Sequence, residues 1–175
     1  MTAPDVLNYH NSGWRRLIFN LRLTLWRMGM GGLVAHNRVI IGAKGHKTGK
    51  PRHTIAPYTR HNDQVVVWAG WSKTSHWVKN LTAHPLVTIQ TGRQAEVCTA
   101  ERITAEADLR AVHPAFAAHL GSMEDFLAKK DEAHLFRFVP NADKRHAPAP
   151  LKVDMWWMGI LIVAAILALV VLVAI

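Results

Sequence analysis

One cysteine, Cys98, stands among 175 residues. A chain with a single thiol can build neither an internal disulfide framework nor an all-cysteine metal site, and it suits a reducing compartment. Acidic residues are also scarce, with 12 Asp and Glu against 21 Lys and Arg and a formal net charge of +9. Such a surface attracts anions, whether phosphates, acidic lipid headgroups or nucleic acid, and charge by itself does not choose among them. The eleven histidines fall in no His-x-x-x-His or His-Glu-x-x-His array with a carboxylate, so no metal site is expected. No motif supports a Ser-His-Asp triad, and neither an internal repeat nor a low-complexity tract is present.

Polar residues are missing altogether from the C-terminal end. Residues 155–175 read MWWMGILIVAAILALVVLVAI, without a charge, Asn, Gln, Ser or Thr. As a helix this run would be roughly 31 Å long, against about 30 Å of bilayer hydrocarbon, so it predicts a transmembrane helix. Trp156 and Trp157 would sit at the headgroup level. Lys144, Arg145 and Lys152 precede the run and place its N-terminal side in the cytoplasm by the positive-inside rule. The expected localisation is therefore the cell membrane, as a single-pass C-terminal anchor in contact with membrane lipid.

What remains has the size of one domain. Residues 141–154, rich in proline and charge, read as a linker. Residues 1–36 hold an amphipathic helical segment, in which Trp14, Leu17, Ile18, Leu21, Leu25 and Met28 fall near helical spacing among four arginines. Ser12 is its candidate N-cap, and Gly29, Gly31 and Gly32 mark its end. Such a helix can lie on an anionic membrane or on its own domain. Residues 37–140 are strand-rich, with segments at 38–41, 52–59, 64–69, 86–91, 94–103 and 133–139. His61-Asn62-Asp63 and Gly92-Arg93 look like hairpin turns, which favours an antiparallel sheet. A short helix is expected over 75–83, and a longer one over 104–130, broken near Pro114 and Gly121. The fold class implied is mainly β (α+β): a small antiparallel barrel with flanking helices.

Two clusters could carry chemistry. Gly42 to Arg52, GAKGHKTGKPR, combines three glycines with four Lys or Arg and His46. Backbone N–H groups and cations in such a loop suit phosphate binding, and a solvated basic turn is the bland alternative. Neither the nucleotide P-loop register nor the dinucleotide fingerprint is met. The second cluster, Trp68 to Pro85, passes a small-residue bend at Ala69-Gly70 and enters a helix capped by Ser75. Trp71 and Trp77 either wall a planar cofactor or belong to the core. Cys98 falls in a strand and reads as buried rather than reactive.

Taken in order, Gly45-His46-Lys47-Thr48-Gly49-Lys50-Pro51-Arg52, the Val-rich strand ending in Ala69-Gly70, and Trp77-Val78-Lys79-Asn80-Leu81-Thr82-Ala83-His84-Pro85 resemble the deazaflavin-dependent nitroreductase and quinone reductase family. The resemblance runs from about Asn37 to Pro140 and implies a split β-barrel that binds coenzyme F420. It implies that Lys47, Thr48 and Arg52 grip the phosphate and acidic tail, and that Ile55, Ala56 and Pro57 lie against the deazaflavin ring. Ala69, Gly70, Trp71 and Ser72 would meet its polar edge, while Trp77 and Asn80 hold the closing helix. No acid–base pair or nucleophile is implied, since such a catalyst places a hydride donor against an acceptor. Where the family carries substrate-side tyrosines, this sequence reads His113, Phe116 and His119. An imidazole can donate to a reduced carbonyl, or those histidines are surface residues without a task.

The expectation is an F420H2-dependent reductase of menaquinone, another lipophilic acceptor or a nitro compound. A homodimer is the pairing that such barrels suggest. The alternatives are an FMN-dependent reductase and a non-catalytic, membrane-tethered module for flavin, haem or lipid. Nucleic acid is not an expected partner, because the basic groups cluster at the phosphate candidate and beside the apolar tail.

Overall fold

The structure, a computed structural model, describes residues 21–31, 37–69, 75–92, 94–128, 130 and 134–174. Six strands, β1 (Arg38–Lys44), β2 (Pro51–His61), β3 (Gln64–Ala69), β4 (Leu86–Thr91), β5 (Gln94–Ile103) and β6 (His134–Pro140), close into an antiparallel barrel in the order β1-β2-β3-β6-β5-β4. The sheet is closed, where the family resemblance implied a split barrel. β4 returns beside β1, with Ile41 opposite Ile89, so no edge is left open. The β2–β3 hairpin is tight because Asn62 and Asp63 both adopt positive φ, 50° and 60°, as a two-residue turn matched to strand twist requires.

Strand periodicity sorts the core. Val39, Ile41 and Ala43 of β1 point into the barrel with Ala56, Val65, Val67, Val87, Ile89, Cys98, Phe136 and Phe138. The alternate residues are buried as well, which is why β1 reads as a continuous apolar run. Ile40 and Ile55 face outward, under Trp26 and Leu151. Val66 and Leu135 face outward under the helices that join β5 to β6, namely α2 (Glu106–Val112), a 3-10 turn (His113–Phe116), α3 (Ala117–Leu120) and α4 (Met123–Ala128). The breaks expected near Pro114 and Gly121 fall at these junctions, the second where Gly121 takes φ +76°. The other connecting helix, α1 (His76–Ala83), lies between β3 and β4 and buries Val78, Asn80 and Leu81.

The tract read as a linker runs along the outside of the sheet as a strap. Asn141 N–H donates to the carbonyl of Val97, Thr88 Oγ1 to that of Pro148, and Leu151 is 4 % exposed. Its far end meets the helical residues 21–31, where Asp154 N–H donates to Arg27 O.

The expectation of a transmembrane helix is overturned. The apolar run forms α5 (Trp156–Ala174), 19 residues or about 28 Å. The head of the run is taken up by the protein itself: Met155 lies outside the helix against Gly29, and Trp157 Nε1 donates to Met28 O at 3.0 Å. From Ile160 to Val171 the large apolar side chains described are exposed. Among the described residues no helix is long and apolar enough to cross a membrane. The single-pass anchor, its lipid contact and the cell-membrane localisation with a cytoplasmic domain, all of which rested on such a helix, are withdrawn with it.

Candidate coenzyme cleft

β1 and β2 form a hairpin whose connection, residues 45–50, doubles back on itself. Gly45 N–H donates to Lys50 O at 2.9 Å, Gly49 N–H to Gly45 O at 2.8 Å and Thr48 N–H to Gly45 O at 3.2 Å. Two glycines are needed for this path. Gly49 sits at φ +64°, and a Cβ on Gly45 would come 3.0 Å from Thr48 Oγ1 and 3.3 Å from Lys50 O. Lys50 N–H reaches Thr48 Oγ1 at 3.4 Å, and His46 N–H donates to Asn80 Oδ1. Five of the six N–H groups in the turn are thus engaged within the protein. An anion here is met by side chains more than by the backbone cradle that the glycines suggested.

Asn80 comes from α1, 34 residues on from His46 and beyond both β2 and β3, and it is 6 % exposed. Its Oδ1 accepts from His46 N–H at 2.9 Å and lies 2.8 Å from His46 Nδ1. The turn and the helix are thereby pinned together, and between them opens a cleft of about 400 Å³ lined by Gly45, His46, Lys47, Thr48, Arg52, His76 and Asn80. The His46 and His76 rings stack across it at 5.9 Å. Among the described residues no carboxylate lines it, so every charge they turn to the space is positive or can become so.

Of the residues named from sequence, Lys47, Thr48, Arg52 and Asn80 meet in this cleft. Trp77 leans on the barrel core, 6.2 Å from the Phe136 ring, and Ala69 lies inside the barrel. Ile55 and Ala56 are buried on opposite faces of β2, leaving Pro57 half-buried beside them. Gly70, Trp71 and Ser72 lie outside the described residues, as does the side chain of His119. His113 is buried, its Nε2 3.1 Å from Gly121 O and its ring 5.7 Å from that of Phe126; Phe116 packs in the same helix–sheet layer. Neither lines the cleft. His76 had no part in the sequence reading, although its spacing from Asn80, four residues on one helix, was the available signal. Ser75 stands at the N-cap position of α1, yet its hydroxyl makes no capping bond.

A larger cavity, about 700 Å³, lies between the strap and the β4–β5 face. Its walls are mostly Ala, Pro and Val, and its two charged residues, Glu96 and Lys144, are opposite in sign. It offers an anion no comparable field. Cys98 is buried in the core, and desolvation, followed by the charge of Glu96, pushes its thiol up to about 12, far from a reactive thiolate.

The profile of a family described as F420H(2)-dependent quinone reductase matches residues 27–131, more than half of the chain. Among solved structures, an F420-H2 dependent reductase is 21% identical, with 59% of this chain and 94% of that chain covered and a TM-score of 0.47. The haem storage protein HutZ from Vibrio cholerae is 18% identical over 60% of this chain and 82% of that one, with a TM-score of 0.46. A haem binding protein from Mycobacterium smegmatis is 13% identical over 67% and 50%, with a TM-score of 0.45. Superpositions this loose decide nothing about a ligand. No curated protein matches the chain.

Proposed function

The chain belongs to the F420H(2)-dependent quinone reductase family, and on that premise we propose that it passes hydride from reduced F420 to a lipophilic acceptor, a quinone of the menaquinone kind or a nitro compound. It is an F420-dependent oxidoreductase. When bound, the coenzyme supplies the hydride chemistry, and the protein supplies binding, orientation and exclusion of water.

One observation carries the reading: the basic turn and helix α1 converge on a cleft whose charged lining has a single sign. Lys47 and Arg52 are the groups to hold an anionic phosphate or carboxylate, and the Thr48 hydroxyl adds a donor. Asn80 sets the separation of turn and helix through its two contacts with His46. Contact along the ring falls to Pro57 and the β2 backbone, since Ile55 and Ala56 have their side chains committed to the two cores. Placement of a donor against an acceptor needs no nucleophile, and the deeply protonated Cys98 provides none.

The test uses the full-length chain. Titration with F420, FMN and haem, followed by fluorescence or absorbance, should show preferred binding of F420. Anaerobic mixing of the reduced coenzyme with a menaquinone analogue and with a nitroaromatic should then show which acceptor is consumed. Tight binding of FMN or haem alone would overturn the proposal.

A further inference from the structure

His46 sits where the glycine turn meets α1, and its tautomer can be read from its partners. Its main-chain N–H can only donate, so the Asn80 atom that faces it, at 2.9 Å, is the carboxamide oxygen. The same oxygen lies 2.8 Å from His46 Nδ1. An oxygen that carries no hydrogen obliges Nδ1 to carry the ring proton, which leaves Nε2 of the neutral ring as a bare acceptor. A bare acceptor is the wrong group to present to an anion. One proton on Nε2 turns it into a charged donor, with the Asn80 contact kept unchanged.

The surroundings supply the coupling. Lys47 from the turn, Arg52 from β2 and His76 from α1 line the cleft with His46, and Asn80 is neutral. His76 holds the plane of the ring by stacking at an angle of 23°. An anion placed beside the ring favours its charged form, because opposite charges in close contact attract. We propose that His46 takes up a proton from solvent at Nε2 when a phosphate ester or carboxylate enters this cleft, so that coenzyme affinity is tied to pH through one ring. The proposal rests on the coenzyme reading above.

The experiment compares full-length wild type with His46→Asn, whose amide nitrogen can still donate to Asn80 but which has nothing at the Nε2 position. Each is titrated calorimetrically with F420, and separately with inorganic phosphate, between about pH 6 and about pH 8 in buffers of different ionisation enthalpy. The difference between the two proteins is the readout, because protonation of the ligand itself cancels. Wild type should take up more protons than the variant, approaching one. Its affinity should fall more steeply with rising pH, by up to about tenfold more per pH unit, until the two proteins bind alike at the alkaline end. A difference seen with both ligands assigns the partner as the phosphate, and one seen with F420 alone assigns it as a carboxylate of the tail. Tight F420 binding with equal proton uptake in both proteins overturns the proposal and leaves the coenzyme reading standing. So does uptake that survives His46→Asn and vanishes in His76→Ala. If F420 binds neither protein at any pH, the coenzyme reading fails and this proposal with it.

Discussion

Gln90 and Leu151, 61 residues apart, are paired like neighbouring strands: Leu151 N–H donates to Gln90 Oε1 at 2.6 Å, and Gln90 Nε2 donates to Leu151 O at 3.3 Å. A side-chain amide on β4 thus satisfies both backbone groups of the strap residue whose side chain is buried with Trp26, Ile40 and Ile55. Gln90→Leu would strand a buried donor and a buried acceptor. We expect a loss of about 1–3 kcal/mol for each group so stranded, seen as a lower denaturation midpoint with the barrel's circular dichroism retained. An unchanged midpoint would mean that the strap contributes nothing to stability.

His53 reports the same strap by pH. Its imidazole is held below the ordinary range mainly by burial. The 3.2 Å contact of Nε2 with Ala149 O works the other way, and the charge of Arg27 adds a smaller downward push. Because the folded ring resists protonation, the unfolded chain binds more protons just below the unfolded value of about 6.5. The stabilisation is therefore complete above that value and drains away as pH falls through the lowered folded value. Thermal melts of wild type against His53→Gln should converge in acid and separate toward neutrality. Parallel curves would sink the assignment.

At the cleft, Lys47→Ala and Arg52→Ala should each weaken F420 binding by about 1.5–3 kcal/mol, as expected for a charge-assisted contact. With most of the turn's N–H groups occupied internally, binding should also weaken steeply with added salt. Affinities that ignore both the substitutions and the salt would place the coenzyme elsewhere.

Asn80→Leu removes the acceptor that serves two donors of His46. F420 affinity should drop although no charge is lost, and stability should fall by about 1–3 kcal/mol as buried groups lose their partner. Binding that survives while stability falls would restrict Asn80 to a structural role.

Cys98 should resist alkylation in the native protein and react only on unfolding, because its thiol is raised to about 12 by burial and by Glu96. Labelling with iodoacetamide at neutral pH, read by mass, checks this. Stoichiometric modification of the folded chain would contradict the burial on which it rests.

Much of this was legible along the chain because its causes are local. β-branched runs punctuated by His61-Asn62-Asp63 and Gly92 specify hairpins whatever surrounds them, and Gly45 and Gly49 announce a tight turn, the first through close approach of its neighbours and the second through a positive φ that few other residues tolerate. The basic turn and the helix from Trp77 to Ala83 carried the family resemblance for the same reason, since their residues are neighbours in sequence.

What stayed hidden depended on partners far away. Composition marked residues 141–154 as a linker, yet proline-rich chain without an apolar run still docks when a Gln side chain and a pocket under Trp26 await one leucine. The apolar tail read as a bilayer span because hydrophobicity is a sum over sequence. That Met155 and Trp157 are spent on Gly29 and Met28 is a matter of contact. In the same way the sequence by itself determined which residues could bind an anion, since charge and turn chemistry belong to single residues and their neighbours. Only barrel closure, which carries α1 back over the β1–β2 turn, decided that Asn80 meets His46 and that the cations of the turn line one space, because a hydrogen bond between residues 34 apart exists only once the chain between them has folded.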